Sequence, residues 1–105
     1  MTRVQYDPES FRMEIRGHAG AAPAGQDLVC AAISALSYTL INAAMSCEDF
    51  GGHVLMNDWE ALIRVECCPE DGAEERCREM FRTVWCGLAT IEESYPEYLV
   101  LTGGE

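Results

Sequence analysis

The sequence predicts an α+β domain in which one mostly antiparallel sheet packs against two helices, in the order ββαββαβ. Two patterns carry this reading. Short runs alternate apolar and polar residues with a period of two, as half-buried strands do. Two longer runs place apolar residues three and four apart, as amphipathic helices do.

Val4 to Tyr6 is a short alternating run, and Asp7-Pro8-Glu9-Ser10 reads as a turn. Phe11, Met13 and Ile15 then alternate with Arg12, Glu14 and Arg16, so the two runs suit a hairpin. Gly17 to Gly25, GHAGAAPAG, reads as a flexible loop. Leu28 to Cys47 follows, twenty residues without a charge. Its length permits a membrane span. Ser34, Ser37, Tyr38, Thr39, Asn42 and Ser46 argue for a buried helix with a polar seam instead. The expected stripe is Val29, Ile33, Leu36, Leu40, Ala43 and Cys47, with Ser34, Tyr38 and Asn42 opposite.

His53 to Met56 and Trp59 to Cys67 read as strands around a turn at Asn57-Asp58. In the second, Ala61, Ile63 and Val65 share one face, and Leu62, Arg64 and Glu66 the other. Pro69, Glu70 and Asp71 are expected to start the second helix, where acids suit the positive end of the dipole. Its stripe is Cys77, Met80, Phe81, Val84, Trp85, Leu88 and Ile91, and Tyr95-Pro96 stops it. Tyr98 to Leu101 forms a last short strand.

With 105 residues, the chain holds one domain, residues 1–105, and its 49% hydrophobic content suffices for a core. Eighteen acids against seven basic residues, all arginine, leave a net charge of −11. Direct nucleic-acid binding, which needs basic groups to displace counterions, is not expected, nor is docking on an anionic membrane. A basic partner is attracted. The acidic group Glu70, Asp71, Glu74, Glu75 and Glu79 reads either as a solvated helix face or as the source of that attraction.

Six cysteines invite a disulfide framework. The start MTRVQYDPES has no basic-then-apolar signal region, and the cysteines fall inside periodic apolar segments, so reduced thiols in a cytoplasmic protein are expected. No C-x-x-C is present and His53 stands alone, so neither a metal nor another cofactor is expected. Cys47, Cys67, Cys68, Cys77 and Cys86 read as packing or surface residues.

Cys30 differs from these by its place. It enters in the first turn or so of the long helix, with Asp27 as a candidate N-cap. The positive end of a helix and its free N–H groups favour thiolate there. His18, at the mouth of the glycine-rich loop, can fold back over the helix start, where an imidazolium favours thiolate further and can protonate a leaving amine. Asp27, Cys30 and Ser34 fall within an arc of about 60° on one helix face. Helix-start N–H groups can polarise a scissile carbonyl. The same residue types also fit plain packing, a capped histidine and a solvated serine.

The segment GHAG, a short loop, and then G-x-D-x-V-C-A-A-x-S-A-L resembles the signature of the ribosomal-processing cysteine protease family, Prp. The matching positions are Gly17, His18, Ala19, Gly20, Gly25, Asp27, Val29, Cys30, Ala31, Ala32, Ser34, Ala35 and Leu36. The similarity continues through the acidic second helix to I-E-E-S-Y-P-E-Y at Ile91 to Tyr98. The resemblance implies a small homodimeric α+β endopeptidase that removes the N-terminal extension of the precursor of large-subunit ribosomal protein twenty-seven. It implies Cys30 as nucleophile, His18 as base and acid, Asp27 and Ser34 as accompanying polar residues, and a loop from Ala19 through Gly20 to Gly25 that accommodates peptide. The apolar surface of the long uncharged helix independently points to a homodimer. Two other readings stay open on the residues: a non-catalytic dimeric module that binds a basic ribosomal protein, and a thiol redox switch built on Cys30.

Overall fold

The computed structural model describes residues 1–23 and 27–104. Strands β1 (Thr2–Asp7) and β2 (Arg12–Arg16) precede helix α1 (Leu28–Ser46) and a single 3-10 turn at Glu48–Phe50. Strands β3 (Gly52–Asn57) and β4 (Leu62–Cys67), helix α2 (Glu74–Ser94) and strand β5 (Leu99–Gly103) complete the chain. The expected α+β order ββαββαβ is the observed one.

The sheet runs β3-β4-β2-β1-β5. All neighbours are antiparallel except β1 and β5, which are parallel with Val4 opposite Leu101. Val4, Tyr6, Met13, Ile15, Val65 and Leu99 are buried on the inner face with Leu40 of α1 and Phe81 and Leu88 of α2. Tyr6 stacks on Phe81 with ring centroids 5.3 Å apart, within the range of favourable aromatic pairs. Helix α1 is long and apolar enough to cross a membrane, with a mean hydropathy of 1.7. Here it lies against α2, β3 and β4.

Several boundaries and faces differ from the sequence expectation; β5, for one, runs Leu99–Gly103 rather than Tyr98 to Leu101. Phe11 is in the hairpin turn, with φ +53°, and β2 begins at Arg12. β4 begins at Leu62 rather than Trp59, because Asn57 Oδ1 accepts the N–H groups of Trp59 and Glu60 and closes a wider turn. Ala61 ends that turn at φ +48°, and Leu62 is buried together with Val65.

Helix α2 begins at Glu74 rather than Pro69. The segment before it turns through Gly72, at φ +90°, and Glu74 Oε1 accepts the Gly72 N–H. The acids of its first turn are therefore Glu74 and Glu75. On α1 the buried residues are Val29, Ile33, Ser37, Leu40 and Ala44, which rotates the stripe away from Leu36 and Ala43. Leu36 instead faces α2 at Gly87, where a Cβ would sit 2.9 Å from its Cδ2. Buried Ser37 donates its hydroxyl to the Ile33 carbonyl at 2.8 Å, so it sits in the core without an unmet donor.

Candidate active site

His18 leaves the end of β2 immediately after Gly17. Gly17 has φ +88°, and a Cβ there would approach the Met1 carbonyl oxygen to 2.6 Å. Only glycine fits both conditions. The Gly17 N–H donates to the Ala61 carbonyl at 2.9 Å, and its own carbonyl lies 3.5 Å from the buried Thr2 hydroxyl. The chain is thus held on both sides at the point where it releases an exposed His18.

Cys30 stands in the first turn of α1, half-buried. Asp27 is the N-cap: Oδ1 accepts the Cys30 N–H at 2.9 Å, and Oδ2 accepts the Ala21 N–H at 3.0 Å. These bonds, first that of Cys30, hold the Asp27 carboxyl below the usual carboxylate range. Two consequences follow. The Cys30 N–H is occupied, so it is not free to polarise a substrate carbonyl as the helix-start position alone leads one to expect. The Asp27 carboxylate also opposes the positive end of α1 beside the thiol.

The loop expected to hold peptide is partly tied down. Ala19 is buried in the core, Gly20 is exposed at φ +72°, and Ala21 is fastened to Asp27. Gly25 lies outside the described residues.

His18 and Cys30 line one pocket of about 250 Å³. Ser34, Ser37 and Tyr38 of α1 line it too, and Ile15 and Ile63 contribute from the sheet. Among the described residues no hydrogen bond joins His18 to Cys30, and Asp27 bonds to backbone rather than to His18. The side of the pocket made by Met56, Asn57, Asp58, Ala61 and Leu62 was not legible in the sequence. It comes from the β3–β4 turn, which β4 brings beside β2 by pairing Ile63 with Ile15 and Leu62 with Arg16.

This arrangement offers a thiol and an imidazole around a half-apolar cleft of a size that admits a side chain or two. The family model described as cysteine protease Prp matches residues 1–100. The chain belongs to the Prp cysteine protease family. Consistent with that, it is 29% identical over 109 residues to the ribosomal processing cysteine protease Prp of Bacillus subtilis, covering 95% of this chain and 91% of the relative. The fold matches that of an S. aureus Prp in complex with a covalently linked product peptide, with a TM-score of 0.79 and 23% identity over 96% of this chain and 95% of the other. A Streptococcus mutans protein shares the fold with a TM-score of 0.72 and 24% identity, covering 96% and 90% of the two chains. In this Prp-family chain, Gly17 and His18 of the GHAG segment and Cys30 and Ser34 of the D-x-V-C-A-A-x-S segment line the pocket, and Asp27 caps the helix start.

Proposed function

We propose that this member of the Prp family is a cysteine endopeptidase that removes the N-terminal extension of the precursor of large-subunit ribosomal protein twenty-seven. The observation that carries the reading is the placement of His18 and Cys30 on one pocket in a chain of this family. The Prp name of the Bacillus subtilis relative and the product-peptide complex of the S. aureus relative support a peptide substrate.

In this reading His18 takes the Cys30 proton, and the thiolate sulfur attacks the scissile carbonyl carbon. The tetrahedral intermediate collapses as the His18 imidazolium protonates the departing amine, which leaves a thioester on Cys30. His18 then deprotonates a water that attacks the thioester carbonyl. The extension leaves as a carboxylic acid and the thiol is restored. Ser34 lines the pocket and offers a hydroxyl to substrate or water. Asp27 positions the helix start and the loop.

The reading implies a cytoplasmic protein that meets its basic substrate before the ribosome is assembled. It also implies a homodimer, supported by α1, which exposes Leu28 (83%), Tyr38 (50%) and Met45 (57%). A sedimentation mass near 11.6 kDa at micromolar concentration contradicts the dimer.

Cleavage of a peptide spanning the precursor junction tests the function. Wild type cuts it and accumulates a thioester, while Cys30→Ala and His18→Ala fall to background with their fold intact. Full activity in Cys30→Ala overturns the assignment. Binding without any cleavage by wild type points to the non-catalytic module.

A further inference from the structure

Trp59 is 99% exposed, more than any other large apolar side chain among the described residues. An indole left wholly in water forgoes the burial that makes tryptophan stabilising, and this is how aromatic anchors for partners are presented. The turn that carries it is held firmly. Asn57 Oδ1 accepts the Trp59 and Glu60 N–H groups at 3.0 and 3.3 Å. The Ala61 N–H donates to the Asp58 carbonyl at 3.3 Å, and the Ala61 carbonyl accepts the Gly17 N–H next to His18.

The turn is continuous with the active-site pocket, because Asn57, Asp58 and Ala61 line it together with His18 and Cys30. Trp59 is also flanked by carboxylates. Asp58 makes no ion pair among the described residues, and Glu60 meets only Arg16, at 3.8 Å. An open indole face between two carboxylates is chemically suited to a cationic side chain, through the ring quadrupole and direct charge attraction.

We infer that the Asn57–Ala61 turn is a docking element for a lysine or arginine side chain of the substrate polypeptide, with Trp59 as its face and Asp58 and Glu60 as its charges. The inference rests on the proposed protease function, whose substrate, a ribosomal protein, carries basic residues to meet rRNA phosphates. It adds a reason for selectivity: the same turn that walls the pocket holds a charged part of the peptide while another part lies across Cys30.

The test compares two junction peptides, one native and one in which every lysine is norleucine and every arginine citrulline. Trp59→Ala is expected to raise KM for the native peptide about three- to five-fold with kcat unchanged, the effect of an exposed cation–π contact. Trp59→Phe keeps most of the affinity. Asp58→Asn with Glu60→Gln raises KM too and flattens its dependence on salt. For the neutral peptide Trp59→Ala and wild type match. An equal loss on both peptides, no loss on either, or conversion of a dimer to monomer by Trp59→Ala overturns the inference.

Cys30→Ala protein provides the separate reading, by anisotropy of the dye-labelled peptides. If wild type cuts neither peptide, the protease function fails on its own. The docking element then stands if Cys30→Ala binds the native peptide more tightly than the neutral one and Trp59→Ala abolishes the difference. It falls if the two peptides bind alike.

Discussion

The Asp27 carboxylate accepts the backbone N–H of Cys30 at 2.9 Å, so the candidate nucleophile is tied through its own backbone to the N-cap of its helix. The second oxygen holds Ala21, in the loop that follows His18. One side chain thereby sets both the start of α1 and the near end of the loop. Both of its oxygens accept from backbone N–H groups rather than from the imidazole, the geometry of a positioning residue.

Asp27→Ala is expected to free both N–H groups, lower Tm by several degrees and reduce kcat/KM more than tenfold. Asp27→Asn keeps one amide oxygen for the Cys30 N–H and is expected to fall between alanine and wild type in both measurements. Wild-type cleavage by Asp27→Ala removes any functional role for this clamp.

Gly17 and Gly20 both have positive φ but meet different surroundings. A Cβ at Gly17 lies 2.6 Å from the Met1 carbonyl oxygen, whereas at Gly20 nothing lies within 4 Å. Gly17→Ala is expected to cost about 1–3 kcal/mol of strain and to displace His18 from the pocket. Gly20→Ala costs less, about 1 kcal/mol. Urea unfolding of the two variants measures the order, and equal midpoints contradict it.

The outer face of the sheet carries an acid-sensitive pair. Arg64 Nε donates to Glu14 Oε1 at 2.6 Å, and this bond holds the Glu14 carboxyl below its usual value of 4.5. A depressed carboxylate stabilises the fold above its unfolded pKa and loses that contribution as pH falls through the folded value. Glu14→Gln is expected to lower stability at pH 7 by under about 1 kcal/mol, since both partners reach solvent. The gap to wild type closes below pH 4.5, as thermal melts across that range will show.

Cys67 and Cys77 are buried together between β4 and α2, and burial pushes the Cys67 thiol up to about 12 and raises that of Cys77. Iodoacetamide at pH near 8 is expected to modify exposed Cys68 and Cys86 and to spare Cys67 and Cys77 until the protein unfolds. The raised thiols stabilise the fold fully below the unfolded value of 9.0, and this is lost as pH rises toward 12. Peptide mass mapping before and after urea settles the order of labelling.

The strands and helices were legible because periods of two and 3.6 follow from backbone geometry alone. The segment ends were less so, since single hydrogen bonds decided them: Asn57 widened one turn, and the Gly72–Glu74 contact postponed α2. The α1 face was off by part of a turn. The absence of a side chain at Gly87 lets Leu36 approach α2, and the Ser37 hydroxyl meets its need inside its own helix.

His18 and Cys30 stood out in the sequence because a glycine-rich segment beside a helix start is a local pattern. By itself the sequence also determined the family resemblance, the order of elements and the net charge of −11. The tertiary structure alone decided the other wall of the pocket and the setting of Trp59. Those depend on β4 pairing with β2, which brings residue 61 to residue 17 across more than forty positions, and such non-local contacts leave no period in the chain. The structure also decided what Asp27 does. A carboxylate three residues before a cysteine can face an imidazole or a backbone, and the unpaired N–H groups of the helix start claimed it.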